Sequence, residues 1–242
     1  MPKFAVILAA AFLTNAAASA FAVSKDDLIA AHGADEWEDV KSVAFTFHVE
    51  KPGLSVERTW EWNVAEDTVT LTETGEGGVA TETKYSRDPS VCPLLRSKSD
   101  KKDKIDKTHE TDLRSKTDKK FINDSFWLLW PVHLMWSEDV EVTDEGVGTD
   151  PISGEERTRV RIAYPDTEDA GYTPGDHYVL YVDETNKPTA WEYFPGGQAT
   201  AALTTTWEEY QEFGPLTLST EHEGPEGRFR LWFSDVVVET GE

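Results

Sequence analysis

The sequence predicts a mainly β protein, in which a strongly curved antiparallel sheet or incomplete β-barrel is covered by short helices. Apolar and polar residues alternate along most of the chain, and this two-residue period is typical of half-buried strands. Turn-forming residues separate the alternating stretches, so that about ten strands are expected. Helical spacing of apolar residues occurs at only two places. Many short strands with little helix favour an open, curved sheet that its helices plug.

The first helical segment follows Ser24. Ser24 is suited to be an N-cap, and Asp27 stands three residues later, as in a carboxylate variant of the capping box. Leu28 and Ile29 supply an apolar face, and Gly33 is expected to stop the helix.

Alternation begins shortly after this helix. The apolar positions of the first strands share one face of the predicted sheet, and residues 75–78 are expected to form a hairpin turn. These positions are Val43, Phe45, Phe47, Val49, Val56, Trp60, Trp62, Val64, Val69 and Leu71, with a return strand over residues 79–85.

The second helical segment lies within residues 121–133. Ile122, Phe126, Leu129 and His133 fall at helical spacing, and the other large apolar residues widen the stripe, so this helix should be covered on both sides. Because Pro131 disfavours helical geometry at the preceding residue, we expect a short helix that ends or kinks at Trp130.

The remainder of the chain repeats the strand pattern. Hairpin-like links are expected at residues 183–188 and 224–227. The alternating positions are Val160, Ile162, Tyr164, Tyr178, Leu180, Val182, Trp191, Tyr193, Leu203, Thr205, Trp207, Leu216, Leu218, Phe229, Leu231 and Phe233.

Residues 1–22 have the order of a cleavable signal peptide. Lys3 is followed by an apolar stretch over residues 4–13 and by small residues that suit cleavage after Ala20 or Ala22. The apolar stretch is too short to span a bilayer, and no transmembrane segment is expected elsewhere. The single cysteine, Cys92, lies far from the cleavage region, which disfavours a lipid anchor. The pattern predicts a periplasmic or secreted protein whose residues 23–242 form a single domain.

The charge of the chain is acidic and unevenly distributed. The net charge is −23, which argues against nucleic acid as a partner because phosphate binding needs a basic surface. A Lys-rich segment at residues 96–118 interrupts the acidic body, with Ile105 and Leu113 as its only apolar residues. We expect this charged segment to be a mobile insertion or an exposed, frayed helix, since it cannot bury a face. Docking of a partner is the alternative for this segment.

Sequence motifs for catalysis are absent. The chain has no nucleophile elbow, zinc-protease helix, phosphate-binding loop or dinucleotide-binding glycine pattern. The six histidines show no short spacing that would hold a transition metal. We therefore predict no catalytic residues, no metal site and no cofactor.

Aromatic residues are the feature of the sequence that bears most directly on function. The chain has nine tryptophans, many of them on predicted sheet faces and two in the helix before Pro131. Such rings can fill a core, or they can line a cavity for an apolar ligand when an incomplete barrel leaves room beneath its helices. The candidates for lining a hydrophobic cavity are Phe45, Phe47, Trp60, Trp62, Trp127, Trp130, Tyr178 and Trp191.

Three groups of residues resemble an uncharacterised family of exported bacterial proteins related to the lipoprotein-carrier fold, which is called LolA/LolB-like. The groups are His32-Gly33 with Trp37 and Val40, the run at residues 121–131, and residues 172–176 with Tyr178, Tyr181, Asp183 and Trp191. The resemblance spans the expected mature chain and implies an incomplete β-barrel whose helix-covered concave face encloses an apolar pocket. Many members of that family look like lipoproteins, from which this chain departs because it lacks the lipobox cysteine.

Two main functions are compatible with these observations. The first is a non-enzymatic carrier or sensor of a hydrophobic ligand, such as a lipid or the acyl chain of a lipoprotein. The second is a protein interaction module with a filled core and no small ligand. An enzyme is a third, weaker alternative.

Overall fold

The computed structural model describes residues 22–75, 78–87, 109–167 and 174–241. The predicted signal peptide, except Ala22, and residues 96–108 of the charged segment lie outside the described residues.

The described residues form two α-helices and twelve strands. The helices are α1 (Lys25–Ala31) and α2 (His109–Trp136). The first six strands are β1 (Val40–Lys51), β2 (Leu54–Asn63), β3 (Thr68–Thr74), β4 (Ala80–Ser86), β5 (Glu141–Thr149) and β6 (Glu156–Ala163). The remaining strands are β7 (His177–Val182), β8 (Pro188–Phe194), β9 (Leu203–Thr206), β10 (Glu208–Phe213), β11 (Leu216–Glu223) and β12 (Arg230–Thr240).

The strands form two antiparallel sheets. One has seven strands in the order β10-β11-β12-β1-β2-β3-β4, and the other has five strands in the order β5-β6-β7-β8-β9. Within the described residues, neither sheet closes into a barrel. The predicted fold class, mainly β with open antiparallel sheets and few helices, is confirmed.

The two sheets meet where the chain passes from β9 to β10. Trp207 is the single residue between these strands, and its backbone N–H donates to the Thr189 carbonyl of the five-stranded sheet. From the other sheet, His222 Nδ1 lies 3.3 Å from the Thr206 carbonyl oxygen, and the Glu223 backbone N–H donates to Thr206 Oγ1. We call this junction the seam. These hydrogen bonds connect the two sheets at this junction.

Helix α1 begins and ends as the sequence predicts. Ser24 and Asp27 form the reciprocal capping box, which satisfies backbone donors at the helix start. Gly33 follows the helix with a φ of +65°, and a Cβ at this position would lie 2.0 Å from the Pro215 carbonyl oxygen. Only glycine combines this left-handed conformation with such close approach, so Gly33 fixes α1 against the turn between β10 and β11.

Helix α2 is longer than predicted. The expected kink is present, because Leu129 has non-helical angles (φ −108°, ψ 24°) two residues before Pro131, but the chain resumes a helical path to Trp136. The prediction of a short helix is therefore wrong. Proline removes one backbone donor and displaces the preceding turn, and the packing of α2 on both sheets holds the helix on either side of this local defect.

The start of α2 overlaps the end of the charged segment. Asp118 is buried and accepts hydrogen bonds from the Tyr85 hydroxyl and Arg87 Nε. The expectation that this segment cannot bury a face did not include Thr117 and Asp118, which are buried at its end. An ion pair with Arg87 and a hydrogen bond from Tyr85 of β4 bury Asp118, a polar position that no apolar pattern indicates.

Two strands, β5 and β10, were not anticipated from the sequence. Both lie at sheet edges, and most of their side chains are exposed or partly exposed. Edge strands need no buried apolar face, so the alternating pattern that reveals the other strands is weak in them. Most buried apolar side chains of both sheets and both helices join in one hydrophobic core, and Val179, Tyr181 and Ala190 form a second, small cluster in the five-stranded sheet.

Candidate functional site

The candidate site is the interior between α2 and the two sheets. From α2, the Phe121 ring contacts Trp60 and Trp62 of β2, with ring centroids 5.3 and 5.5 Å away. Further along α2, Phe126 contacts Tyr178 of β7 at 5.4 Å. Helix α2 thus packs its aromatic side chains against both sheets at once.

The first aromatic cluster lies against the seven-stranded sheet and consists of Trp37, Trp60, Trp62, Phe121 and Trp136. Trp62 contacts Trp37 at 5.5 Å and Trp136 at 6.1 Å. Trp60 and Trp62 are almost completely buried.

Phe45 and Phe47 lie beside the first aromatic cluster, on β1. Both rings contact Phe233 of β12 in edge-to-face geometry. The Arg58 guanidinium sits 5.1 Å from the Phe47 ring centroid. These two predicted site residues pack within the sheet and are buried.

The second aromatic cluster, which we call the seam cluster, consists of Trp127, Tyr178, Trp191, Trp207 and His222. Trp191 contacts Trp127, Tyr178 and Trp207 at ring-centroid distances of 4.8, 4.8 and 4.6 Å. The Trp207 and His222 rings are 4.2 Å apart. The predicted residues Trp127, Tyr178 and Trp191 therefore meet at the seam, and Trp130 joins their edge through Trp207 at 5.9 Å.

Four buried polar atoms in the seam cluster and in the adjacent Thr205 lack partners in the described part of the chain. Among the described residues, no hydrogen-bond partner is found for Trp191 Nε1, Trp207 Nε1, His222 Nε2 or Thr205 Oγ1. Thr205 stands directly opposite Trp191 in the β8–β9 pairing, and Trp207 follows two residues later. Buried polar groups are nearly always hydrogen-bonded, and each one left unpaired costs about 1–3 kcal/mol, so this concentration requires an explanation.

The buried histidines are neutral. Burial lowers the pKa of His222 to about 3 and that of His32 to about 4. In each ring a hydrogen bond to a backbone carbonyl favours the charged form and raises the pKa, but burial has the larger effect. A carbonyl oxygen can only accept, so Nδ1 of each ring donates to it, in His222 to Thr206 and in His32 to Leu28. Nε2 of each neutral ring is consequently an acceptor.

A surface groove lies next to the seam cluster. It has a volume of about 640 Å³, and the β1–β2 turn and the β11–β12 turn form its two sides. Phe229 lines this groove, and its ring also contacts Trp127 at 6.2 Å. Trp127 is only partly buried, unlike Trp191 and Trp207. The groove therefore adjoins the aromatic interior through two contacting rings.

Asp124 of α2 forms a buried hydrogen-bond network with β2. Its carboxylate accepts two hydrogen bonds from Arg58, at 2.6 and 2.8 Å, and one from Trp60 Nε1 at 2.9 Å. Burial raises the pKa of this carboxyl, while the bonds from Arg58, Asn123 and Trp60 oppose the rise. Asp124 thus ties α2 to β2.

Ser125 and His133 form the closest arrangement to a catalytic pair on α2. Ser125 Oγ lies 3.4 Å from His133 Nε2, and both side chains are buried. Burial, together with the nearby charge of Arg87, lowers the pKa of His133 to about 3. A general base needs a pKa near the working pH, so this pair is unsuited to activating a nucleophile at neutral pH.

Sequence reasoning missed Asp124 as a buried ion-pair partner and missed Thr205, Trp207 and His222 as parts of the site. The alternation of Thr205 and Trp207 placed both on one face of a strand, which was the available signal. His222 gave none, because its position at the seam depends on how the two sheets join.

In the part of the chain that the structure describes, no group of three or more potential ligand side chains could hold a metal ion. No helix in the same residues is both long and apolar enough to cross a membrane.

These features define a class of protein: an open antiparallel β fold whose aromatic interior is covered by a long kinked helix. No family matches the sequence, and no curated protein matches it. Among solved structures, the chain is similar to a DUF1329 family protein from Desulfovibrio piger, with 11% identity, coverage of 90% of this chain and 92% of the other, and a TM-score of 0.42. It is also similar to the Mycobacterium tuberculosis lipoprotein LppX, with 11% identity, coverage of 90% and 99%, and a TM-score of 0.29. Both likenesses are remote, and neither assigns this chain to a family.

Proposed function

We propose that this chain is an exported, non-enzymatic protein that holds a hydrophobic ligand at the seam cluster, as a carrier or sensor. The single observation that carries the proposal is the contact of Trp127 with both Phe229, a wall of the surface groove, and the rings of Trp191 and Trp207. An apolar ligand that enters along the groove reaches the seam cluster by displacing the partly buried Trp127 side chain.

The chemistry of the seam suits an apolar ligand. Trp127, Trp130, Tyr178 and Trp191, which we assign to the site, offer large ring faces, and aromatic rings bury more apolar area than other side chains. The neighbouring His222 is neutral, so no fixed charge of its own opposes an apolar chain. In this proposal Phe45, Phe47, Trp60 and Trp62 form the filled part of the core that supports the site.

A protein interaction module is the second candidate. The observation in its favour is that Phe45 and Trp60 have no exposed surface, which is typical of a filled core. Val147 on the edge strand β5 is 70% exposed, and an exposed edge strand can pair with another chain. Under this alternative the seam cluster only stabilises the fold.

Export and ligand binding can be tested together by native mass spectrometry of the protein purified from its native host. We expect an N-terminus near Phe21 or Val23, no covalent lipid, and a bound apolar molecule that dissociates on denaturation and is recovered by solvent extraction. A retained leader or a diacylglyceryl increment would refute the export pathway proposed. Protein that is consistently free of extractable ligand would favour the interaction module.

A further inference from the structure

The unpartnered polar atoms of the seam cluster point to the chemical class of the ligand. They lie on Trp207, on the two rings that Trp207 contacts, Trp191 and His222, and on Thr205, which pairs with Trp191 across the strands. All four side chains are at least 98% buried, so bulk water does not reach them. A purely apolar ligand would leave every one of these groups unsatisfied.

The hydrogen-bonding roles of the four groups are determined by their chemistry. The two indole N–H groups can only donate, and the Thr205 hydroxyl can both donate and accept. His222 Nε2 accepts, because Nδ1 is committed to the Thr206 carbonyl. The complementary ligand group must therefore accept from an indole and donate to an imidazole.

Of the common lipid end groups, a hydroxyl meets both requirements. It carries one donor and two acceptor lone pairs on a single atom, so it can accept from an indole N–H and donate to an imidazole nitrogen at the same time. An ionised carboxylate has no donor for His222, and its burial beside a neutral imidazole would be unfavourable. A protonated carboxyl has a donor, but at neutral pH it must first be protonated at a cost in free energy that a hydroxyl does not incur. An alkyl chain has neither a hydrogen-bond donor nor an acceptor.

We propose that the seam cluster recognises the hydroxyl end of an otherwise apolar molecule, such as a long-chain alcohol or an acylglycerol, through Trp207, His222, Thr205 and Trp191. This inference rests on the proposed function, since it names the ligand class of the same site. The apolar part of the molecule packs against Trp127 and extends toward the groove at Phe229.

The test compares 1-decanol with 1-chlorodecane, which has a similar chain but no donor at its end. Displacement of the uncharged fluorophore N-phenyl-1-naphthylamine gives a dissociation constant for each ligand. The ratio of the two constants is compared between the parent protein and its variants, so that the different water solubilities of the ligands cancel.

Trp207→Phe and His222→Phe each remove one of the unpartnered polar groups from the seam. Trp62→Phe is the matched control, because it removes a buried indole N–H that also lacks a partner among the described residues, but in the first aromatic cluster.

We expect the preference for decanol to fall about fivefold to tenfold in each seam variant, as a lost buried hydrogen bond predicts, and to stay unchanged in Trp62→Phe. Equal preferences in the parent and both seam variants, with both ligands still bound, would overturn hydroxyl recognition and leave the proposed function standing. Binding of neither ligand to the folded parent protein would overturn the proposed function itself. A seam variant that does not fold is replaced by Thr205→Val, which removes a hydroxyl at nearly constant volume and carries the same expectation.

Discussion

Replacing Asp124 with alanine is expected to lower the free energy of unfolding by about 3–5 kcal/mol. The Asp124 carboxylate is completely buried and accepts from Arg58 and Trp60, so its removal leaves a guanidinium and an indole N–H without their acceptor. An uncompensated buried charge is more costly than the pair is stabilising. Chemical denaturation of the parent and the variant, monitored by tryptophan fluorescence, measures the difference.

The exposed ion pair between Lys120 and Glu73 provides the matched control. It also links α2 to the seven-stranded sheet, with a separation of 2.8 Å, but both side chains are more than a third exposed. Glu73→Ala should therefore cost less than about 1 kcal/mol. The double variant Arg58→Met with Asp124→Leu should recover much of the loss, because it removes both charges. A loss in Asp124→Ala no greater than that in Glu73→Ala would show that Asp124 does not hold α2 to β2.

Lowering the pH from 6 to 5 is expected to reduce the free energy of unfolding by about 3–4 kcal/mol through three buried histidines. Burial lowers the pKa of His32 to about 4 and those of His133 and His222 to about 3, whereas each is near 6.5 in the unfolded chain. Between these values the unfolded state binds more protons than the folded state. Stability therefore rises with pH across this window and is lost as the pH falls through it.

Glutamine variants assign this pH dependence to individual residues. Each of His32→Gln, His133→Gln and His222→Gln should reduce the slope by about 1.4 kcal/mol per pH unit at most, and a double variant should reduce it by the sum. Denaturant titrations between pH 5 and 7 give the slopes. A parent slope that no histidine variant changes would mean that these rings bind protons with the same pKa in the folded protein as in the unfolded chain, in conflict with their burial.

Much of the fold could be predicted from the sequence because local patterns determine it. The alternation in β1 reveals which face is buried, the Ser24 and Asp27 side chains cap α1 within one turn, and Pro131 acts on the helix that contains it. Each of these signals is complete within a few residues. The length of α2 could not be predicted, because burial of Asp118 depends on Arg87, which is distant in sequence.

The candidate site was only partly predictable, because it also depends on contacts between residues that are distant in sequence. Aromatic residues on strand faces and in the second helical segment could be predicted to lie in the interior, where Trp191 and Trp127 contact each other. Their separation from Trp60 and Trp62 into two clusters depends on how the sheets meet at Trp207. No local pattern reports that junction, so His222 and Thr205 were recognised only once the strand order was known.

The most direct test of ligand binding at the seam is a titration of the protein with N-phenyl-1-naphthylamine, read as energy transfer from tryptophan to the bound fluorophore. Two partly buried tryptophans of α2 provide matched variants: Trp127 lies in the seam cluster, and Trp136 lies in the first aromatic cluster. We expect saturable binding to the parent protein, an affinity about tenfold weaker in Trp127→Ala, and an unchanged affinity in Trp136→Ala. Absence of binding to the folded parent protein, or equal weakening in both variants, would contradict an apolar ligand site at the seam.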